Sequence, residues 1–378
     1  MDRTRLFRRA LLVKLARASA ISLPVALTFS WAACVPRGGP GNVETCYAPT
    51  DLGVAGPFSS VADCPSMDQA DTLLNATYNG CGSIQSEPTF KAGSCCYEVA
   101  QCGTGRPYMD GAASRVASPA RAETGAVAWS AIHEAQLTDV APELRARIAA
   151  AWLADGLLEH ASIASFGRFA LELMAISAPA DLIADAHRAA IDEVEHARLC
   201  FGLAQAYGAE ATTPSPFPFA GRVEVSSNLA DVAARAVREG CIGETIGAIQ
   251  AAEQLAHADN PLVRRALGVI VEDEARHAEL SWRFVAWALA HGGGDVRSAV
   301  AAAFREPLAV PTIGDDAISA EMTAHGRLDP TVLREVVQRA LDEVVLPCAT
   351  QLLGPRAPTI FQSDFGNRLS FGEAPVST

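Results

Sequence analysis

Two copies of one short motif constrain the fold of this chain more than any other feature. The sequence DEVEH at 192–196 is matched by DEARH at 273–277. Residues three apart on a helix lie on one face, about one turn from each other, so the Glu and His of each copy can bind one metal ion. One copy occurs by chance on charged helices. Two copies require two further carboxylates, one from each remaining helix of a four-helix bundle.

Four long segments with helical periodicity surround these motifs. We predict helices at about 142–176, 181–207, 228–257 and 260–290. Residues 208–227 contain three prolines and are long enough to cross the full length of such a bundle. We therefore predict the bundle over 139–291, accessory helices in 292–350 and an irregular tail over 351–378.

The carboxylates on these segments stand at similar heights in the two predicted hairpins. Glu159 and Glu193 flank the first turn, and Glu244 and Glu274 flank the second. Each lies in a stripe of apolar or small residues, which argues against solvated surface charges. Burying four carboxylates without cations would cost many kcal/mol. Two divalent ions would neutralise them.

The predicted metal ligands are four carboxylates and two imidazoles, from Glu159, Glu193, His196, Glu244, Glu274 and His277. Donors of this kind favour iron, with manganese as the alternative, over structural zinc. Asp192 and Asp273 are candidates to accept a hydrogen bond from the ring N–H of the opposite histidine. Exposed helix aspartates are the other interpretation of this pair.

Several neighbouring residues have two interpretations. His160 points about 100° away from Glu159 on a helix, which favours an outer or surface role over ligation. Cys200, one turn beyond His196, is a small core residue or a redox-active thiol. Gly240, Gly243 and Gly247 indicate close helix packing or room for oxygen or a substrate beside Glu244.

The order Glu, DExxH, Glu, DExRH resembles the ferritin-like di-iron carboxylate superfamily, over residues 142 to 291. The two complete halves look more like the rubrerythrin and hydroxylase branches than like storage ferritins. The resemblance implies an all-α, ferritin-like four-helix bundle with a long crossover between helices two and three. It also implies the six residues as iron ligands, with Glu193 and Glu274 bridging. An exported chain with a cysteine-rich module and this bundle also looks like uncharacterised ferritin-like proteins of high-GC bacteria.

The N-terminal third of the sequence indicates that the protein is exported. Residues 1–34 have a basic start and a moderately apolar run, like an export signal. Small residues before Cys34 resemble a lipoprotein cleavage site, although Trp31 departs from the usual pattern, and Arg8-Arg9 resembles a twin-arginine signal. We expect a periplasmic or outer-membrane-anchored protein, with a lipid at Cys34 as its membrane attachment.

Residues 41–102 form a predicted cysteine-rich module without helical periodicity. Its six cysteines favour disulfides over a zinc site, because no Cys-x-x-Cys pair is present. Fifteen pairings are open. Residues 103–138 have a weak Gly, Ala, Ser and Arg pattern and are predicted to be a linker.

Three hypotheses for function follow. The first is an exported non-haem di-iron oxidoreductase that activates O2 or peroxide and takes electrons from an unidentified external donor. The second is a ferroxidase, an iron-handling protein or a peroxide scavenger. The third is a metal-stabilised binding module without catalysis. The formal charge of −13 argues against a nucleic-acid partner.

Overall fold

The computed structural model describes most of the C-terminal two thirds of the chain and parts of the N-terminal third. The described residues are 3–19, 43–47, 49, 57–66, 69–70, 83–84, 87–91, 93–100, 108–110, 113–121, 129–132, 137, 140–219, 221–306 and 320–354. They are mostly helical, with a few short strands. The predicted helical class is confirmed at this level.

Ten α-helices occur among the described residues, and they are numbered here in chain order. They are α1 (Arg3–Ser19), α2 (Pro142–Ala175), α3 (Ala180–Ala206), α4 (Leu229–Ala236), α5 (Thr245–His257), α6 (Pro261–His291), α7 (Gly294–Arg305), α8 (Ala320–Ala324), α9 (Pro330–Ala340) and α10 (Leu346–Leu353). A π-helical segment, Val237–Glu244, joins α4 to α5, and a second one, Leu341–Val345, joins α9 to α10.

The starts of the predicted helices three and four follow from their sequences. The Asn260 side chain accepts hydrogen bonds from the backbone of Leu262 and Val263, and Pro261 occupies the first turn. Asn228 caps α4 in the same way. Both caps satisfy N–H groups that a helix start leaves without an intrahelical partner. The predicted starts of these two helices, at about 228 and 260, are confirmed.

The long helices form two antiparallel pairs, and their apolar side chains form two separate clusters. Helix α2 packs along α3, α5 packs along α6, and α3 also contacts α6. One cluster contains Phe166 and Phe284, and the other contains Trp152 and Tyr207. The two motifs on α3 and α6, together with Glu159 on α2, lie between these two clusters along their helices.

Helix three differs from its prediction. We expected a uniform helix over 228–257, but its middle, Val237–Glu244, has π geometry. A π turn contains one more residue than an α turn and is frequent at functional sites. The accessory helices also extend slightly beyond the predicted 292–350, since α9, the π segment and α10 together run to Leu353.

The predicted export signal falls partly on α1, which packs against the helical body. Leu11 and Leu15 are buried there, against α5, α6, α10 and the second π segment. Arg8 is 4% exposed and its Nε lies 2.7 Å from Glu343 Oε2. Cys34 and its proposed cleavage site lie outside the described residues.

The strands lie in the N-terminal third and in the crossover. They are β1 (Val43–Tyr47), β2 (Ser83–Ile84), β3 (Thr89–Lys91), β4 (Ser94–Ala100), β5 (Tyr108–Asp110), β6 (Ala113–Arg115), β7 (Pro119–Arg121) and β8 (Thr212–Pro214). Strand β4 pairs antiparallel with β1, β2 and β3, while β5 pairs with β6 and β7 pairs with β8.

One expectation for this region changes, and another is confirmed for one pair of cysteines. The segment 103–138, predicted as a linker, contains three short strands. One of them, β7, pairs with β8 in the crossover. The pairing of β7 with β8 is non-local, so no local pattern indicated it, whereas β5 and β6 form a local hairpin. The cysteine-rich segment contains a disulfide between Cys64 and Cys95. Disulfide chemistry is therefore confirmed for this pair, while the side chains of Cys46, Cys81 and Cys102 are outside the described residues.

Among the described residues, no helix combines the length and the apolar character needed to cross a bilayer.

Candidate metal centre

Four helical elements bring the six predicted ligands to one place. Glu159 comes from α2, Glu193 and His196 from α3, Glu244 from the end of the π segment, and Glu274 and His277 from α6. All except Glu159 are buried. Buried carboxylates are costly unless they are paired or bind a metal.

The six residues form two overlapping sets of four donors. In each set, one donor atom from every residue lies within 4.8 Å of the others. The first set is Glu159, Glu193, His196 and Glu274, and the second is Glu193, Glu244, Glu274 and His277. Glu193 and Glu274 belong to both sets. Each of the two sets could hold one metal ion.

Both imidazole rings turn the same nitrogen toward the carboxylates. His196 Nδ1 lies 3.3 Å from Glu193 Oε2 and 3.4 Å from Glu274 Oε1. His277 Nδ1 lies 3.1 Å from Glu193 Oε1. The Nδ1 atoms are therefore the donors that face the centre of the cluster, and the Nε2 atoms face outward.

Each outward nitrogen meets an aspartate from the other motif. His196 Nε2 lies 3.1 Å from Asp273 Oδ2, and His277 Nε2 lies 3.3 Å from Asp192 Oδ2. Arg276 joins the two pairs, because one of its nitrogens is 3.0 Å from Asp192 and 2.6 Å from Asp273. A carboxylate partner on the outer nitrogen fixes the tautomer and leaves the inner nitrogen as a lone-pair donor.

Several inward-facing atoms lack a hydrogen bond of acceptable geometry within the described part of the chain. They are His196 Nδ1, His277 Nδ1, Glu193 Oε2 and Glu274 Oε2. Buried polar atoms are normally satisfied, so a group of exceptions requires an explanation. These atoms approach one another closely without being aimed at one another, which is the arrangement expected of ligands directed at a shared cation.

The electrostatics of the cluster show that its carboxylates require positive charge nearby. Loss of hydration, with Glu193 nearby, raises the pKa of the Glu159 carboxyl well above its usual value. Burial alone would raise the pKa of Glu193, but the two histidines outweigh burial and lower it. Burial alone would lower the pKa values of the histidines. For His277, Asp192 and Glu193 outweigh burial and raise its pKa to about 9.

The same balance holds for His196, whose pKa is raised well above the ordinary value by Asp273, Glu193 and Glu274. Without a metal, protons on the two imidazoles supply the positive charge that the carboxylates need. A divalent cation would take over that role and release those protons.

The residues set aside in the sequence analysis do not join either donor set. The His160 ring lies 5.1 Å from the Trp129 ring and 5.7 Å from the Phe217 ring, in an aromatic cluster. Cys200 and Cys241 are both buried and form no disulfide. Cys200 lines a cavity beside Glu159, and burial raises the pKa of its thiol well above the ordinary value.

This cavity has a volume of about 50 Å³ and borders the first donor set at Glu159 and Glu274. Trp152, Gln250 and Gly247 also line it. Gly240, by contrast, packs closely, because a Cβ there would lie 1.9 Å from Ser281 Oγ. The two interpretations of the glycines therefore apply to different positions, because Gly240 is closely packed and Gly247 lines the cavity.

Sequence reasoning missed two buried ion pairs between α2 and helix three. Arg168 pairs with Glu239 at 2.9 Å, and Glu172 pairs with Arg235 at 2.6 Å. Their spacing in the sequence could have indicated these pairs, because 168 and 172 are one helical turn apart, and so are 235 and 239. Both acids are buried, at 5% and 1% exposure.

Comparison with protein-family models, curated proteins and solved structures finds no match for this chain.

Proposed function

We propose that this chain is a ferritin-like di-iron carboxylate protein, and that its function is oxidoreductase chemistry on dioxygen or peroxide. In this proposal α2, α3, the α4–α5 helix and α6 are the four helices of the bundle. The observation that carries the proposal is the pair of overlapping donor sets that share Glu193 and Glu274. An arrangement of shared carboxylates between two sites is the one that a two-metal centre uses.

The residues present fit two metal ions. Glu159 and His196 would complete the first site, and Glu244 and His277 would complete the second. Four carboxylates and two neutral imidazoles balance the charge of two divalent ions. Their mix of oxygen and nitrogen donors suits iron, with manganese as the alternative. When bound, such an iron pair supplies adjacent redox-active centres for a small oxygen species.

The protein's own contribution is to orient donors and exclude water. Asp192 and Asp273 hold the two imidazoles with their Nδ1 atoms inward. The Phe166 ring packs edge-on to the His277 ring, with centroids 4.9 Å apart, and shields this side of the cluster. An external donor of electrons is required for repeated turnover, and its identity is not part of the proposal.

Metal analysis of the purified protein tests the proposal. We expect two iron or manganese ions per chain, and consumption of O2 or peroxide that depends on ferrous ion. Glu193→Ala should lose both ions because Glu193 belongs to both donor sets. Glu195→Ala is the matched control, since Glu195 lies on the same helix but is half-exposed and pairs with Arg198. A protein that contains only zinc, or a single ion, contradicts the oxygen chemistry.

A second candidate function is ferroxidase activity or peroxide scavenging. The cavity beside Glu159 and Glu274 supports it, because about 50 Å³ accommodates a few water-sized molecules next to the first donor set. A ferroxidase oxidises added ferrous ion without an organic substrate. Stopped-flow oxidation of ferrous ion in the absence of any organic compound distinguishes this candidate from a hydroxylase.

We also propose that the protein is exported, with a lipid on Cys34 as its membrane attachment. The disulfide between Cys64 and Cys95 supports export, since such bonds persist in oxidising compartments. The apolar side chains of α1 pack into the helical body. An export signal that includes α1 must therefore leave this position before it is cleaved. Cell fractionation, followed by mass spectrometry of the mature N-terminus, tests this proposal.

A further inference from the structure

The π segment places two acidic side chains in the interior of the molecule. Glu239 is 5% exposed and Glu244 is fully buried, although they are five positions apart. On a regular α-helix, residues five apart point about 140° away from each other, at about 100° per residue. The i→i+5 pattern of a π turn brings such residues closer to one face. The π geometry therefore lets one short segment direct both carboxylates inward.

Glu239 is held by two partners on α2. Arg168 donates to Glu239 Oε1 at 2.9 Å, and Ser165 Oγ donates to Glu239 Oε2 at 3.1 Å. Both carboxylate oxygens are thus fixed by a helix that also carries the metal ligand Glu159. Because Arg168 and Ser165 are themselves buried, water does not compete for these contacts.

Arg168 is fixed from the opposite direction by strand β5. It donates to the carbonyl oxygen of Met109, and its guanidinium carbon lies 4.6 Å from the centroid of the Tyr108 ring. A guanidinium with both an acceptor and an aromatic face has little freedom to rotate. The strand thereby sets the position from which Arg168 reaches Glu239.

Helix α6 blocks movement of the π segment on its other side. A side chain at Gly240 would collide with Ser281, which lies one turn after His277. Ser281 Oγ donates to the carbonyl oxygen of His277 at 3.2 Å. The π segment is consequently held between Arg168 on one side and Ser281 on the other.

We propose that Arg168 and Glu239 are positioning residues for Glu244. Their ion pair stabilises the π register that turns Glu244 toward Glu193, Glu274 and His277. If the pair is removed, the segment can return to α geometry. The Glu239 and Glu244 side chains would then point about 140° away from each other. Glu244 would then leave the second donor set. This inference rests on the two-metal site proposed above.

The test uses Co²⁺ as a redox-stable probe of both sites in the full-length protein. Equilibrium dialysis measures the two dissociation constants, and the visible absorption of bound Co²⁺ reports ligand geometry. We expect Glu239→Gln to weaken the second site by about 10-fold or more, the loss typical of outer partners of metal ligands. The first site should keep its affinity, and the absorption of the second ion should change.

Glu172→Gln is the matched control. It breaks the neighbouring ion pair to Arg235 between the same helices, but that pair precedes the π segment. We expect a loss of thermal stability with both Co²⁺ affinities and the spectrum preserved. Arg168→Lys should recover part of the second-site affinity that Arg168→Met loses, because Lys restores the charge without the bidentate fork.

The outcomes separate this inference from the proposed function. A wild-type protein that binds no pair of ions contradicts both. A wild-type protein that binds two ions, with unchanged affinities and spectrum in Glu239→Gln, overturns the positioning role alone. So does an equal loss in Glu172→Gln. If Glu239→Gln fails to fold, Ser165→Ala, which removes one contact of Glu239, should still weaken the second site several-fold and leave the first unchanged.

Discussion

Substitution of single ligands should remove different numbers of metal ions, in a pattern that the overlap of the two donor sets determines. Glu244 belongs only to the second set, whereas Glu193 belongs to both. We therefore expect Glu244→Gln to bind one ion and Glu193→Gln to bind none tightly. Glu159→Gln should also bind one ion, but at the other site.

The magnitude follows from the linkage between binding and folding. One ion present at 100 times its dissociation constant stabilises the native state by about 2.7 kcal/mol, provided that it binds only the folded protein. For a domain of 150–250 residues, 1 kcal/mol shifts the Tm by about 2–4 °C. Two ions contribute about 5.4 kcal/mol in this way, so metal addition should raise the Tm of the wild-type protein by about 10–20 °C. Glu244→Gln, which binds one ion, should show about half of this rise.

Differential scanning calorimetry with and without a chelator measures these shifts, and dialysis followed by elemental analysis counts the ions. In the chelated state, Glu193→Gln should be less stable than wild type, because it removes the carboxylate that pairs with the two protonated histidines in the buried cluster. Glu195→Gln, on the exposed side of α3, should behave like wild type in every respect.

The result that would refute this reasoning is equality among the ligand variants. If Glu193→Gln and Glu244→Gln lose the same number of ions, or if Glu193→Gln keeps two, the two donor sets do not act as two sites that share carboxylates. A Tm that is insensitive to the chelator in wild type would have the same meaning.

Three further outcomes are expected. Gly240→Ala should lower the unfolding free energy by about 1–3 kcal/mol through overpacking against Ser281; urea titration measures it, and the double variant with Ser281→Gly should recover most of the loss. Asp273→Asn should weaken Co²⁺ binding by about 10- to 100-fold, because His196 loses its outer acceptor; unchanged dialysis isotherms would contradict this role. Cys64→Ser should destabilise the cysteine-rich segment by about 2–4 kcal/mol through loss of the cross-link, without a change in metal content; limited proteolysis would detect it as faster cleavage of that segment.

Local sequence patterns predicted the long helices and the residues that meet between them. The bounds of α2, α3 and α6 lie within about one or two residues of expectation, because apolar periodicity, prolines and Asn260 are local signals. The spacing of Glu and His in each motif requires both to share one helix face. The two copies were thus enough to predict that the carboxylates and imidazoles converge.

The same local patterns could not predict contacts between distant parts of the chain. The π segment in helix three depends on Gly240 against Ser281 and on Glu239 against Arg168, and none of these pairs is adjacent in sequence. Strand β7 forms only with its partner in the crossover. The packing of α1 depends on helices from the other end of the chain.

The sequence by itself thus determined which side chains are ligand candidates and which helix carries each of them. Only the tertiary structure decided how Glu244 reaches the centre, and which residues hold it there. The physical reason is that helix periodicity is set by neighbours three and four positions away. The register of a π turn, in contrast, is selected by ion pairs and close packing with other helices, which no single segment contains.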